Sequence, residues 1–461
     1  MNWNNNFRKR SFWIVLITVI LLLGLFFLPR NFFGTLLRRV NILGDVMEKD
    51  SMGNTLAELR MDSLEGLYDA NGMPLEVMKP DYQDSIPAGM VGIEDFADST
   101  GQHREMDKFY RALNESSDRQ VHIAFFGDSY IEGDILTSAL RNYLQSEYGG
   151  RGVGWVEVSC ITEHFRNTIK NRNEGWVKHH ATDKSGYIGS NASLSGSYFT
   201  PSPTGKLVLE CQKTNYGEHL SWVDEVSVFA DMEPSLHLSA IINDSIPSTL
   251  SSDGSIGIQK ITTSGNISKF ALTASGNGTV YGVSFDGHTG ICLDNYSLRG
   301  GRGLHIKDLS SSILSKTASL RPYDLIVFEY GLNIASSNIT NYSDYVRKFT
   351  PVIELMKQYF PTSSILILGS GDRATKNGSQ TMRGIKELIS YQRKMASDNK
   401  VAFWDLRAAI GGDGAISRLR SQKMAAPDMT HINFKGGEFI AKKLFDVFQN
   451  GKMNYERRKV K

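Results

Sequence analysis

The sequence predicts an α/β domain with a parallel sheet and helices on both faces, split by an inserted all-β domain. Three observations lead there. Short apolar runs suited to strands buried on both faces alternate with amphipathic helical stretches, and strands that alternate with helices imply parallel pairing through crossovers. Between about residues 155 and 287 that alternation stops. Gly, Ser, Thr and Asn dominate there, and strand-like runs follow one another at short intervals with turn residues between them, the pattern of a β-sandwich. Beyond residue 287 the α/β texture resumes, so the two α/β pieces are expected to form one domain.

The elements follow in order. The stretch "HREMDKFYRALNES", His103 to Ser116, has helical spacing through Met106, Phe109, Tyr110 and Leu113. "VHIAFF", Val121–Phe126, reads as a strand buried on both faces. "DILTSALRNYLQSEYGG" reads as a helix with Ile135, Leu136, Leu140 and Leu144 on one stripe and Gly149 as its stop. The insert carries "KLVLECQK", "EVSVFAD", "LHLSAIIND", "SIGIQKITT", "KFALTAS" and "TVYGVSFDG". After it come a strand in "DLIVFEYG", a helix in "NYSDYVRKFTPVIELMKQYF", a strand in "SSILILG", a helix in "GIKELISYQRKMASDN", a strand in "VAFWDL" and a closing helix in "NFKGGEFIAKKLFDVFQN".

The 461 residues hold 51 Lys and Arg against 49 Asp and Glu, a balance without the basic surplus that nucleic-acid binding uses. At the N-terminus "RKR", Arg8 to Arg10, precedes "SFWIVLITVILLLGLFFLP", Ser11 to Pro29. A run of roughly 18 apolar residues is long enough to cross the hydrocarbon core as a helix, and the cations before it would stay on the cytoplasmic side. The run is long for a signal-peptide core and no small-x-small cleavage site follows, yet a cleaved signal is the alternative. The expected layout is a cytoplasmic tip and transmembrane anchor over residues 1–30, a polar spacer over 31–100, the α/β domain over 101–154 and 288–450, the insert over 155–287, and a basic tail, "GKMNYERRKVK", over 451–461. Three cysteines, Cys160, Cys211 and Cys292, give an odd count with no CxxC pair. One disulfide with a free thiol, or three inert thiols, both fit.

Ligands of open α/β sheets bind at the carboxyl ends of the strands, which ranks the loops. Gly127, Asp128 and Ser129 follow the first strand; Gly331, Leu332 and Asn333 follow "LIVFEY"; "SGDRATKNG" follows "ILILG"; and "APDMTHIN" precedes the closing helix. A serine hydroxyl needs a base. His431 supplies one, and Asp428, three residues earlier, can turn back onto its Nδ1 to fix tautomer and orientation, giving a Ser–His–Asp system. The oxyanion needs prearranged donors: the Ser129 N–H, the Asn333 amide and a glycine N–H of "SLRGGRG", taken as Gly300. Taken singly, Gly127-Asp128-Ser129 reads as a helix-capping turn, Asp428 and His431 as an N-cap with a surface histidine, and Asn333 as a turn residue. Their joint placement on one sheet edge favours a site.

The blocks "FFGDSYIEGD", "YGLN" and "PDMTH" resemble those of the SGNH, or GDSL-type, hydrolases. The likeness spans roughly residues 100–450 and extends through "GGRGVGWV", "FWDLRAAIGGDGAISR" and "PDMTHINFKGGEFIAKKLF", similar to the branch with peptidoglycan O-acetylesterases. The resemblance implies a flavodoxin-like sheet, a carbohydrate-module-like β-sandwich inserted between the first and second blocks, Ser129 as nucleophile, oxyanion donors Gly300 and Asn333, and the Asp428 and His431 pair. Three positions depart from the pattern: Tyr130 stands where His or Gln is common, Ile334 follows Asn333 where Asp is usual, and "SLRGGRG" has arginine in place of an Asn-Gly pair, which leaves Gly301 as a competitor to Gly300.

The function so implied is a serine esterase that removes O-acetyl groups from a cell-envelope polysaccharide, foremost peptidoglycan, anchored in the inner membrane with its catalytic domain in the periplasm. Secretion after signal cleavage is the alternative location. An O-acetyltransferase with the same triad and a non-catalytic glycan-binding scaffold are the alternative functions. No metal, organic cofactor or nucleic acid is expected. "GGRGVG" follows a helix, where a phosphate loop would follow a strand. His179, His180, His288 and His305 lack metal-ligand spacing. Trp155, Trp176, Tyr216 and Trp222 are either sugar platforms or core. Arg373 is either a substrate contact or a solvated cation, and Asp128 is expected to brace its own loop.

Overall fold

The computed structural model describes residues 84–97, 104–183, 185–213, 217–248, 250, 255–375 and 380–460. The expected anchor or signal peptide and most of the spacer lie outside these residues. Among the described residues no helix is long and apolar enough to cross a membrane.

In chain order the elements are β1 (Glu94–Asp95), α1 (Asp107–Asn114), β2 (Gln120–Gly127) and α2 (Thr137–Tyr148). The strands β3 (Gly154–Val156), β4 (Ile169–His180), β5 (Ser197–Cys211), β6 (Val223–Met232), β7 (His237–Ile242), β8 (Ile246–Ser248), β9 (Gly257–Ile267), β10 (Lys269–Ser275) and β11 (Thr279–Asp286) follow. Then come β12 (Gly290–Ser297), α3 (Ser311–Leu320), β13 (Leu325–Glu329), α4 (Ser343–Tyr359), β14 (Ser364–Leu368), α5 (Arg383–Asp398), β15 (Ala402–Trp404), α6 (Leu406–Ala409), α7 (Ala415–Ser421) and α8 (Phe434–Lys459).

One sheet runs β1-β15-β14-β13-β2-β12. Its last five members are parallel, and their side chains are buried almost throughout. Continuous runs such as Ile123–Phe126 and Leu325–Phe328 therefore read as apolar without alternation. Helices cover both faces: Phe109, Leu140, Leu444 and Phe448 belong to one apolar core with Val121, Phe125 and Val327, while Phe349 of α4 packs edge-on against Phe328 on the other face.

Three features differ from the sequence reading. The sheet is mixed, because β1, from the stretch read as spacer, pairs antiparallel with β15. Asp95 is buried there and accepts the N–H groups of Glu105 and Met106 at 3.0 Å, ahead of α1. Second, β12 enters the parallel sheet beside β2; its polar Asp294 and Asn295 hid it as a strand. Third, the basic tail is not separate from the closing helix. It forms the last turns of α8, where Tyr455 is buried and Arg458 pairs with Asp84 and Asp107. Its charges hid the helix because they face acids of the N-terminal segment.

The strands β3 to β11 form one antiparallel network rather than two separate sheets, around a core that includes Phe199, Leu207, Val228, Phe270 and Phe285. The chain leaves the α/β sheet after α2, whose Gly149 ends the helix at φ +74°, and returns as β12. Because β2 and β12 are parallel neighbours, the whole β domain is an enlarged crossover between them.

Their junction is charged and closed. Arg321 is 1 % exposed and binds Asp286 of β11 at 2.8 and 3.0 Å and Asp294 of β12 at 2.6 and 2.7 Å. Asp294 also accepts the Tyr323 hydroxyl at 2.7 Å and the Trp155 N–H at 2.8 Å.

Candidate active site

Ser129 lies two residues past the end of β2 and is 6 % exposed. Its Oγ lies 2.8 Å from Nε2 of His431, and the Nδ1 of His431 lies 2.6 Å from Oδ2 of Asp428. The two groups separated by 302 residues in sequence are thus in hydrogen-bond reach. The His431 ring accepts from Ser129 when its proton is on Nδ1, the tautomer that the carboxylate favours.

Local structure explains the Asp428–His431 approach. Met429 adopts φ +56°, and the Asp428 Oδ1 accepts the backbone N–H groups of Thr430 and His431, both at 3.0 Å. The Ala426 N–H donates to the His431 carbonyl at 2.7 Å, closing the loop. Asn433 then caps α8 by accepting the Gly436 N–H at 3.1 Å. At Gly437 an added Cβ would meet the Ile135 carbonyl at 1.9 Å. Only glycine lets α8 seat against the segment leading out of the serine loop, so the serine and histidine elements are locked together. Burial pushes the Asp428 carboxyl upward, but the hydrogen bonds from the His431 ring and from the His431 and Thr430 N–H groups outweigh it and hold the group below the ordinary value.

Asn333 sits in the loop after β13, a tight turn in which the Ile334 and Ala335 N–H groups donate to the Gly331 carbonyl. Its Nδ2 donates to Asp128 Oδ2 at 3.1 Å and to the Gly301 carbonyl at 3.2 Å. The structure therefore gathers Asp128, Asn333 and the loop after β12 beside Ser129. In that last loop the Leu298 N–H donates to the Gly127 carbonyl at 2.9 Å and Arg299 grips Glu132 at 2.6 and 2.9 Å. The Gly301 N–H donates to the Leu298 carbonyl at 2.7 Å. Gly301 is thereby spent inside the turn, whereas Gly300 is exposed at φ +74° with open space where a Cβ would sit.

Asp128 is fully buried and is not the partner of His431. Its Oδ1 accepts the Tyr130 N–H at 3.0 Å, alongside the Asn333 bond. Burial pushes its carboxyl up to about 6, against hydrogen bonds from the Tyr130, Gly331 and Leu332 N–H groups. A native-state value above the ordinary 3.8 means the folded chain holds this proton more tightly than the unfolded chain. The resulting stability is fully present below the unfolded value and is lost as pH rises through about 6. Asp128→Asn is expected to flatten that part of the stability–pH curve, read as thermal midpoints between pH 4 and 7; an unchanged slope would contradict this assignment.

One residue of the serine loop escaped the sequence reading. Asp134 is fully buried at φ +65°. Its carboxylate accepts Thr137 Oγ1 at 2.7 Å, Arg141 Nη2 at 3.2 Å, Asn295 Nδ2 at 3.1 Å and Arg166 Nε at 3.0 Å, together with the Thr168 hydroxyl. Burial pushes this acid upward, but the Arg141 and Arg166 guanidiniums more than reverse it and hold it well below the carboxylate range. Asp134 thus ties the serine loop to α2, β12 and the β domain at once. Its one sequence signal was Arg141 two helical turns on.

The remaining candidates resolve differently. Trp155 is core, packed between Phe229 and Tyr296. Trp176 donates Nε1 to the Lys206 carbonyl at 2.9 Å, and Trp222 lies under the Arg151 guanidinium at 3.4 Å. Tyr216 is outside the described residues. His179 stacks on Tyr198, His180 bonds Thr182, the His288 N–H donates to Asp224, and His305 bonds the Leu194 carbonyl, with burial lowering its ring to about 4. Cys160, Cys211 and Cys292 are free. Among the described residues no group of three or more His, Cys, Asp or Glu could hold a metal ion.

The sheet order, the serine loop after β2 and the Asp-x-x-His loop before α8 give the architecture of the SGNH hydrolases, with an additional β domain. The solved structure of a peptidoglycan O-acetylesterase matches with a TM-score of 0.64 and 20 % identity, over 78 % of this chain and 99 % of that one. At that identity the match speaks for the fold. A solved acetyl xylan esterase matches at 18 % identity over 34 % of this chain and 81 % of its own, with a TM-score of 0.27. A lipase/acylhydrolase from Enterococcus faecalis matches at 14 % identity over 35 % of this chain and 77 % of its own, with a TM-score of 0.26. No family model and no curated protein matches the chain.

Proposed function

We propose that the protein is a serine esterase that removes O-acetyl groups from a cell-envelope glycan, foremost peptidoglycan. The observation that carries this reading is the unbroken chain Ser129–His431–Asp428, at 2.8 and 2.6 Å, on the carboxyl edge of a parallel sheet. Ser129 Oγ attacks the acetyl carbonyl while His431 Nε2 takes its proton, and Asp428 steadies the imidazolium. The tetrahedral oxyanion is received by the Ser129 N–H, the Gly300 N–H and the Asn333 amide, one N–H of which turns to it from the Gly301 carbonyl. Collapse releases the sugar hydroxyl, protonated by His431, and leaves an acetyl-serine. His431 then takes a proton from water, whose oxygen attacks the acetyl carbon, and acetate leaves as Ser129 regains its proton. None of these steps calls on a metal or organic cofactor.

The choice of peptidoglycan is supported by the fold shared with a peptidoglycan O-acetylesterase, inserted β domain included. The basic-then-apolar N-terminus supports tethering at the inner membrane with the catalytic domain outside it, where such glycans lie. Acetate release from O-acetylated peptidoglycan, compared with acetylated xylan and an aryl acetate, tests the reading. Release from peptidoglycan without an added acceptor supports it and removes the transferase. Activity confined to xylan would overturn the substrate, and no release from any ester would overturn the esterase.

Asn333→Ala is expected to lower kcat about 10²- to 10³-fold with little change in KM, the cost of one oxyanion donor. Steady-state kinetics on the aryl acetate check it. An equal rise in KM with kcat intact would place Asn333 in ground-state binding instead.

A further inference from the structure

Arg373 lies in the loop after β14, where the loop carrying Asn333 meets the loop carrying Asp428 and His431. Its Nη1 donates to the Leu332 carbonyl at 3.0 Å, one residue from Asn333. The next residue, Ala374, donates its backbone N–H to the Met429 carbonyl at 3.0 Å, one residue from Asp428. The side chain is half-buried, and no carboxylate among the described residues pairs with it. Residues 376–379, next in the sequence, are Lys, Asn, Gly and Ser and include no acid. Neighbouring cations differ: Arg299 is matched by Glu132, and Arg407 by Asp372 and Asp413.

A guanidinium presents five N–H donors in a fixed fork, and the Leu332 carbonyl uses one. The remaining edge suits a carboxylate held through paired hydrogen bonds. The bond to Leu332 fixes the fork beside the oxyanion loop, so it need not be ordered on binding. An acetyl ester is itself neutral, so the charge has no partner in the reacting group.

We propose that Arg373 is a specificity residue that binds a carboxylate of the acetylated glycan, so that the preferred substrate is an acidic sugar ester. This inference rests on the esterase reading above. In peptidoglycan the chemistry is at hand, because muramic acid carries a lactyl ether whose carboxyl is either free or extended by an acidic peptide, whereas xylan backbones and N-acetylglucosamine carry none.

The test compares kcat/KM on 6-O-acetyl-N-acetylmuramic acid and 6-O-acetyl-N-acetylglucosamine, which present the same ester and differ in the lactyl carboxylate, with the acetylated muramyl dipeptide as a third substrate. The wild type is expected to favour a carboxylate-bearing substrate at least about tenfold, in line with a hydrogen bond to a charged group. Preference for the free acid assigns the lactyl carboxylate, and preference for the dipeptide assigns the peptide carboxylate. Arg373→Gln should remove about ten- to hundredfold from the acidic substrate and leave the neutral one within about threefold, with Arg373→Lys between. Equal losses on both substrates would make Arg373 a brace of the Leu332 loop and overturn the proposal, as would equal rates on acidic and neutral esters in the wild type.

Calorimetric binding of N-acetylmuramic acid separates the two readings. Binding lost in Arg373→Gln, with no ester hydrolysed by the wild type, would sink the esterase and keep the anion site. Hydrolysis with no acid-dependent binding would do the reverse.

Discussion

Ser129→Ala is expected to lower kcat on any acetyl ester by about 10⁴- to 10⁶-fold, the scale seen when a triad nucleophile is removed. The serine is 6 % exposed, and replacing its hydroxyl with hydrogen leaves the loop bonds from Tyr130 to Asp128 and from Leu298 to Gly127 in place. The variant should therefore fold and bind glycan as the wild type does. His431→Ala is expected to cost nearly as much. The decisive measurement is the double variant, since residues that act as one unit are not additive. If Ser129→Ala with His431→Ala lost the product of the two single effects, the residues would be acting independently and the triad assignment would fail.

Arg321→Leu is expected to carry the largest cost in stability, about 3–5 kcal/mol, the penalty for removing one partner of a buried ion pair. Asp286 and Asp294 are both 0 % exposed, so each would keep a charge in the interior without its cation. Burial pushes Asp286 upward while the Arg321 charge and hydrogen bonds hold it well below the carboxylate range. A depressed carboxylate contributes stability above its unfolded value of 3.8, and that contribution is lost as pH falls. The variant's deficit should thus shrink as pH falls below 3.8, where the wild type loses the contribution of Asp286. Urea unfolding at pH 7 and about pH 3 would read this out, and adding Asp286→Asn to the variant should restore part of the loss. A deficit below about 1 kcal/mol at pH 7 would mean that water reaches the cluster and the pair is worth no more than a surface one.

The two kinds of residue had very different visibility in the sequence. The parallel strands were legible because burial on both faces imposes unbroken apolar runs, as in "VHIAFF" and "LIVFEY". Ser129, Asn333, Asp428 and His431 stood out because each lies in a loop beside such a run or before a helix, and the fold brings those loops to one edge. What stayed hidden was polar burial. Asp134, Asp294 and Arg321 look like surface residues until the partners that satisfy their hydrogen bonds are known, and those partners are as many as 161 positions away, as Asn295 is from Asp134. The strand β12 was missed for the same reason. The end of α8 was missed because Arg458 finds its acids at Asp84 and Asp107, more than 350 positions back.

That helix has a geometric consequence. It starts three residues after His431 and spans 26 residues, about 39 Å at 1.5 Å per residue. At its far end it holds Asp84 through Arg458. Asp84 and the edge that carries His431 are therefore separated by almost the whole length of one rigid rod. The rod thus fixes the spacing between Asp84 and the edge that carries His431, and neither end can approach the other without breaking the helix.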